Sequence, residues 1–254
     1  KEYDVLSVNY RYRKDNNMYH YLSANYYNST VNDTIISINP DYYGNESGHL
    51  KYMSIGYRFV LDHRNLRYYP TNGYYIETGV KKSGFSNSDN LDYWTYSMIL
   101  NKYFNITKHF YYAGRIKAIL SNGRNHGYVT SKAMGFEDHL RAFEYYVIHG
   151  NDYYFTNHTV KWNFIPKKIL NLHFLNASKF NKVHYASYLG LFFDAGYVND
   201  QEKLTLNNYM ANQFLYSFGI SLDLVTYYDK MLRIEYSVNK FGLAGIYIDF
   251  EKYF

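Results

Sequence analysis

Residues 214–224, F-L-Y-S-F-G-I-S-L-D-L, and residues 232–238, L-R-I-E-Y-S-V, decide the reading of this chain. Phe214, Tyr216, Phe218, Ile220, Leu222 and Leu224 fall on one parity, against Ser217, Gly219, Ser221 and Asp223 on the other. Leu232, Ile234, Tyr236 and Val238 likewise oppose Arg233, Glu235, Ser237 and Asn239. A period of two puts successive side chains on opposite faces of a strand, so each segment has one apolar and one polar face. Leu189, Leu191, Phe193 and Ala195 repeat the pattern against Gly190, Phe192, Asp194 and Gly196.

Working outward, the same alternation recurs along the chain. It predicts strands over 5–13, 18–30, 53–62, 74–82, 94–100, 110–122 and 154–163, and a last one carrying Ala244, Ile246, Ile248, Phe250 and Phe254 on one parity. That makes about eleven strands of roughly ten residues, the length that a tilted strand needs to cross a bilayer. The connections alternate in length: 15–17, 105–108 and 227–230 are short, whereas 31–49, 84–92, 123–152 and 199–208 are long. Short periplasmic turns and long outer loops produce this rhythm and place the C-terminus in the periplasm. The connection 166–181 breaks it, being long on the short side.

Composition points the same way. The 254 residues include 35 Tyr, 17 Phe, 3 Pro and no Cys, with a formal net charge of +5. Abundant tyrosine suits strands whose amphipathic rings sit at membrane interfaces. Mean hydropathy is negative, and no run approaches the ~18 apolar residues of a spanning helix. The expected fold is therefore all-β, a transmembrane antiparallel β-barrel. A soluble sandwich or propeller would also alternate, but would not need tyrosine-rimmed apolar faces on nearly every strand. Lys1 opens the chain without a signal peptide, as in a processed chain or a fragment. The positive charge reads as solvated loops and a basic lumen, with no nucleic-acid partner.

The irregular stretch is Met134 to Asn157, M-G-F-E-D-H-L-R-A-F-E-Y-Y-V-I-H-G-N-D-Y-Y-F-T-N, which begins inside the long 123–152 connection and runs into the next strand. Arg141 is its notable cation, and from the residues alone it is either a solvated loop charge or a partner for a carboxylate on the inner face. The ten histidines show no H-x-x-x-H or H-E-x-x-H spacing, and no G-x-S-x-G occurs, so neither a metal site nor a serine hydrolase is indicated. Glu137-Asp138-His139 reads as a solvated piece of the loop, and Gly135 and Gly150 as turn residues. No catalytic residue, metal or cofactor is expected.

Several passages together resemble the BamA/TamA family of outer-membrane protein assembly factors. Residues 62–73, D-H-R-N-L-R-Y-Y-P-T-N-G, resemble its D-x-R followed by P-T-x-G. Leu140-Arg141-Ala142-Phe143 resembles the V-R-G-F tip of its lumen-inserted sixth extracellular loop. Phe192 to Val198, F-F-D-A-G-Y-V, is similar to its F-x-D-x-G strand, and 218–222 with 232–236 to its penultimate pair. The resemblance implies that these eleven strands are the last eleven of a sixteen-stranded barrel. Five strands and the periplasmic POTRA repeats would then precede Lys1.

It also implies that 123–152 is an extracellular loop folded into the lumen, with Arg141 paired to Asp194. Thr159 stands where the family often has an acidic residue, which makes the arginine more dependent on Asp194. Ala142 replaces the family's glycine and tolerates positive φ poorly. The last strand, with Gly245, Ile246, Tyr247, Ile248, Phe250 and Phe254, would be one side of a lateral gate. Phe254 resembles the C-terminal recognition signal of outer-membrane barrels, although Lys252 stands where an aromatic residue is usual.

The implied function is non-enzymatic assembly of outer-membrane barrels by strand pairing at the seam. The implied partners are outer-membrane lipid and lipopolysaccharide, nascent β-barrel substrates, and periplasmic or lipoprotein accessory subunits. A polypeptide-secretion channel, a porin-like pore, or a barrel anchoring an N-terminal enzyme domain are the alternatives.

Overall fold

The computed structural model describes every residue except 1, 45–47, 86–88, 90, 125–126, 136–137, 172–181, 201–207, 227–229 and 251–254. Eleven strands form one antiparallel sheet in chain order: β1 (Glu2–Asp15), β2 (Met18–Thr30), β3 (His49–Asp62), β4 (Gly73–Ser83), β5 (Asp92–Asn105), β6 (Phe110–Arg124), β9 (Asp152–Asn171), β10 (Lys182–Asn199), β11 (Leu215–Val225), β12 (Met231–Asn239) and β13 (Ala244–Phe250). Between β6 and β9 lie β7 (Lys132–Met134) and β8 (Ile148–His149), which pair only with each other. The eleven-strand sheet is open, with β1 and β13 as its two edges.

The register explains the alternation. Asn157, Asp194, Ser217 and Asn239 lie opposite one another across β9 to β12, and so do Trp162 and Leu189 or Ile220 and Tyr236. The first row is buried under the segments that fill the inner face, whereas Leu191, Phe193, Ile220 and Tyr236 stand outward and exposed. Such an outward band suits contact with hydrocarbon, because every backbone group between paired strands is satisfied within the ladder.

Two expectations about connections change. The segment 31–48 contains a six-residue helix, α1 (Asp33–Ile38), capped by the Asn32 side chain accepting from the Thr34 N–H at 2.6 Å. The anomalous 166–181 connection largely disappears: β9 runs on to Asn171 and β10 starts at Lys182, leaving only 172–181, which lie outside the described residues. Pro166, inside β9, is tolerated because the register slips between Tyr185 and Ser187 opposite it, and because β6 pairs with β9 only as far as Trp162. A proline at a bulge on a one-sided stretch of strand costs no ladder hydrogen bond.

Candidate functional site at the loop tip

The segment joining β6 to β9 folds back against the inner face. Its base is the small β7/β8 pair, closed by Gly150 N–H donating to the Ser131 carbonyl at 2.9 Å. Tyr128 and Val129 N–H groups donate to Asp41 and Tyr42 carbonyls, which ties the base to the β2–β3 connection. Beyond it, Met134, Leu140, Phe143 and Ile148 pack into one buried cluster with Tyr153 and Phe155 of β9, Val198 of β10 and Leu215 of β11. Burying each such side chain contributes about 1.5–3 kcal/mol, so the loop is packed in place as well as charge-paired. Gly196 of the F-x-D-x-G passage makes room for it. A Cβ there would come within 3.2 Å of both Leu140 Cδ1 and Met134 Cε.

At the tip, the structure places Arg141 on Asp194. The Asp194 carboxylate accepts from the Arg141 backbone N–H at 3.2 Å, from Nε at 2.8 Å, and from Nη2. Arg141 Nη1 donates to Thr159 Oγ1 at 3.2 Å, and the guanidinium carbon lies 3.7 Å from the centre of the Phe192 ring. Arg141 is 5% exposed and Asp194 0%. A planar, two-pronged donor against a carboxylate is the geometry that arginine supplies and lysine cannot.

Thr159 therefore does contact the arginine, as a neutral acceptor. The second carboxylate comes from β12: Glu235 Oε1 lies 3.6 Å from Arg141 Nη1. Sequence reasoning missed this residue. Its signal was its inward parity beside Arg233, two apart on a strand whose other inward positions are uncharged.

Ala142 corrects the expectation drawn from its missing glycine. It adopts a positive φ of 65° regardless. Its carbonyl accepts from Asn239 Nδ2 at 3.0 Å, and the residue is buried. Left-handed backbone at a residue with a Cβ costs about 1–2 kcal/mol, which these contacts offset.

Asp138 is a second correction. It is no solvated charge: its carboxylate pairs with Lys117, with Arg115 Nη2 at 3.4 Å, and with the Tyr153 hydroxyl at 2.8 Å. The inward cations on β6 draw the loop against the wall there. Glu137 lies outside the described residues.

A third group sits deeper on the inner face. Asp223 of β11 accepts from Arg233 Nε at 2.7 Å and Nη2 at 3.0 Å, and from the Tyr69 hydroxyl at 2.8 Å, while Lys161 Nζ lies 3.2 Å away. Arg233 Nε also lies 3.7 Å from Glu235 Oε1.

The residues of the last strand stand apart from the arginine clamp. On β13, Ala244, Ile246, Ile248 and Phe250 point outward and are exposed, whereas Gly245, Tyr247 and Asp249 point inward. A cavity of about 490 Å³ separates β13 from the loop, lined by Gly135, His139, Glu144, Tyr145, Tyr247 and Asp249. Burial pushes the Glu144 carboxyl up to about 7, aided by the nearby carboxylates of Glu235, Asp249 and Asp194. Neither Glu144 oxygen has a hydrogen-bond partner among the described residues. Phe254 lies outside the described residues.

Comparison with known proteins fits this architecture. The chain is similar in fold to the crystal structure of BamA from Haemophilus ducreyi lacking POTRA domains 1-3, with a TM-score of 0.63 and 15% sequence identity. The match covers 98% of this chain and 53% of that one, so the chain spans about half the length of its relative. A search of curated proteins gives no sequence match. The model of the Omp85 superfamily domain matches residues 1–236, nearly the whole length, and the chain belongs to the Omp85 superfamily.

Proposed function

We propose that this chain is the C-terminal part of an outer-membrane barrel that assembles and inserts other β-barrel proteins by strand pairing at its seam. The observation that carries this is Omp85 superfamily membership over residues 1–236, joined to a BamA-like sheet whose last strand, β13, turns an apolar face outward. In hydrocarbon an unpaired row of N–H and C=O groups costs several kcal/mol for each group, so a seam opened beside β13 would be closed again by an incoming strand. Five strands and POTRA repeats upstream would complete the barrel, with 125–151 as an outer loop in the lumen and the C-terminus in the periplasm. Nascent barrels, outer-membrane lipid and lipopolysaccharide, and periplasmic or lipoprotein subunits are the partners this entails. The packed loop argues against an open porin.

The test is depletion of the full-length protein, combined with a photocrosslinking residue at Ile246. Stalled assembly of unrelated outer-membrane barrels, with those barrels captured at position 246, is the expected result. Loss of a single secreted polypeptide, with general assembly intact, would overturn the proposal in favour of a secretion channel.

A further inference from the structure

A second segment enters the inner face, from the opposite end of the strands. It is the β3–β4 connection, residues 63–72, which antiparallel topology places at the end away from the β6–β9 loop. The connection is stiff. Arg64 donates to Asp62 through Nε at 2.8 Å and Nη2 at 2.9 Å, and Asn65 Oδ1 accepts from the Thr71 and Asn72 N–H groups at 3.1 Å each. Gly73 closes it at φ +109°, where a Cβ would lie 2.1 Å from the His63 carbonyl oxygen.

This stiffness drives Tyr69 into the wall. Tyr69 is 3% exposed and packs with Ala186, Tyr188 and Met231. Its ring centre is 4.8 Å from that of Tyr188, and Lys161 Nζ lies 4.3 Å from its own. Its hydroxyl reaches Asp223, 154 residues away in sequence.

From Asp223 a continuous set of ion pairs leads to the loop tip. Arg233 holds Asp223, Glu235 lies 3.7 Å from Arg233 and 3.6 Å from Arg141, and Arg141 holds Asp194. Among the described residues Glu235 Oε1 has no hydrogen-bond partner, and it lies between the two guanidiniums at ion-pair distance from each. Its attraction for each depends on how dry the cluster stays, because Coulomb energy scales inversely with the local dielectric. Tyr69 and the turn behind it are the lid on that cluster from their side.

We infer that Tyr69 is a positioning residue for Arg141: the 63–72 turn and the 125–151 loop are two clasps on one wall, coupled through Asp223, Arg233 and Glu235. In the orientation proposed above, the turn sits at the periplasmic mouth and the loop at the outer one. A subunit or upstream domain that moves the turn would thereby loosen the loop across the membrane.

The coupling is measured in the full-length protein with a buried loop thiol, Ala133→Cys, as reporter of loop opening. Tyr69→Phe removes only the hydroxyl, and Tyr69→Ala also admits water. Maleimide labelling of the reporter is expected to rise modestly for Tyr69→Phe and several-fold for Tyr69→Ala. Combined with Glu235→Gln, the Tyr69→Ala effect is expected to shrink at least twofold, since residues in one network are non-additive. A residue that only stabilised the sheet would multiply independently. Unchanged labelling in both Tyr69 variants overturns the inference, as does a Tyr69→Ala effect of the same size with and without Glu235→Gln. Tyr69→Phe keeps the ring packing, so the test does not depend on the alanine variant folding.

Discussion

Replacing Asp194 with alanine leaves the Arg141 guanidinium inside the wall without the carboxylate that accepts from its backbone N–H, Nε and Nη2. Removing one partner of a buried pair costs about 3–5 kcal/mol, because the remaining charge stays desolvated. Glu235 at 3.6 Å still faces Arg141 and compensates in part, which places the expected cost near ~3 kcal/mol. That cost falls on the closed loop, since an open loop returns Arg141 to water. At about 1.4 kcal/mol per decade, the open population rises roughly 100-fold. These 254 residues contain no cysteine, so Ala133→Cys, 4% exposed on β7, is the one thiol among them, and its labelling rate tracks that population. A roughly 100-fold faster rate in Asp194→Ala is the predicted result. A change below about threefold would show that the apolar packing holds the loop and that the ion pair contributes little, refuting the reasoning from buried charge.

Three further outcomes use the same reporter. Ala142→Gly relieves the φ of 65° and is expected to slow labelling by roughly 1 kcal/mol, or about fivefold; faster labelling would mean that the buried methyl matters more than the backbone. Asp138→Asn strips the charge that Lys117 and Arg115 share and is expected to speed labelling by about 1–2 kcal/mol, less than Asp194→Ala, because those two cations reach water. Glu144 binds its proton more tightly in the folded loop than in an exposed chain. Loop closure is therefore most favourable below its ordinary range near 4.5 and weakens as pH rises to about 7. Labelling corrected for intrinsic thiol reactivity is expected to rise across that window and to flatten in Glu144→Gln; an unchanged profile in the variant would assign the dependence elsewhere.

The wall was legible because a strand with lipid on one side and packed polar groups on the other must alternate, and β11 and β12 do so throughout 216–224 and 232–239, around Asp223 and Glu235; β10 does so apart from Phe192, which faces inward beside Asp194. What failed were features without periodicity. The connection was placed at 166–181, whereas β9 continues through Pro166 because of a bulge opposite it that depends on β10. Asp138 was read as solvated because its partners, Arg115 and Lys117, stand some twenty positions earlier on β6 and meet it only when the loop folds back. Glu235 escaped for the same reason: a carboxylate on the correct parity says which face it occupies, not which cation waits there. Tyr69, in the 63–72 turn, has no strand parity to read at all. Ala142 failed differently. Its intrinsic preference was judged correctly, but tertiary contacts override a cost of that size.

The buried wall cluster holds three cations, Arg141, Lys161 and Arg233, and three carboxylates, Asp194, Asp223 and Glu235, all less than a tenth exposed. Its net charge is zero, and no member can be lost singly without stranding another. Relatives of this chain should therefore drift at these six positions in opposite-sign pairs: an uncharged residue at 194 is expected with an uncharged residue at 141, and a neutral 223 with a neutral 161 or 233. The loop, the strands and the turn carry this constraint together, so chimaeras that exchange the 125–151 loop between distant relatives should fail unless the matching wall residues travel with it.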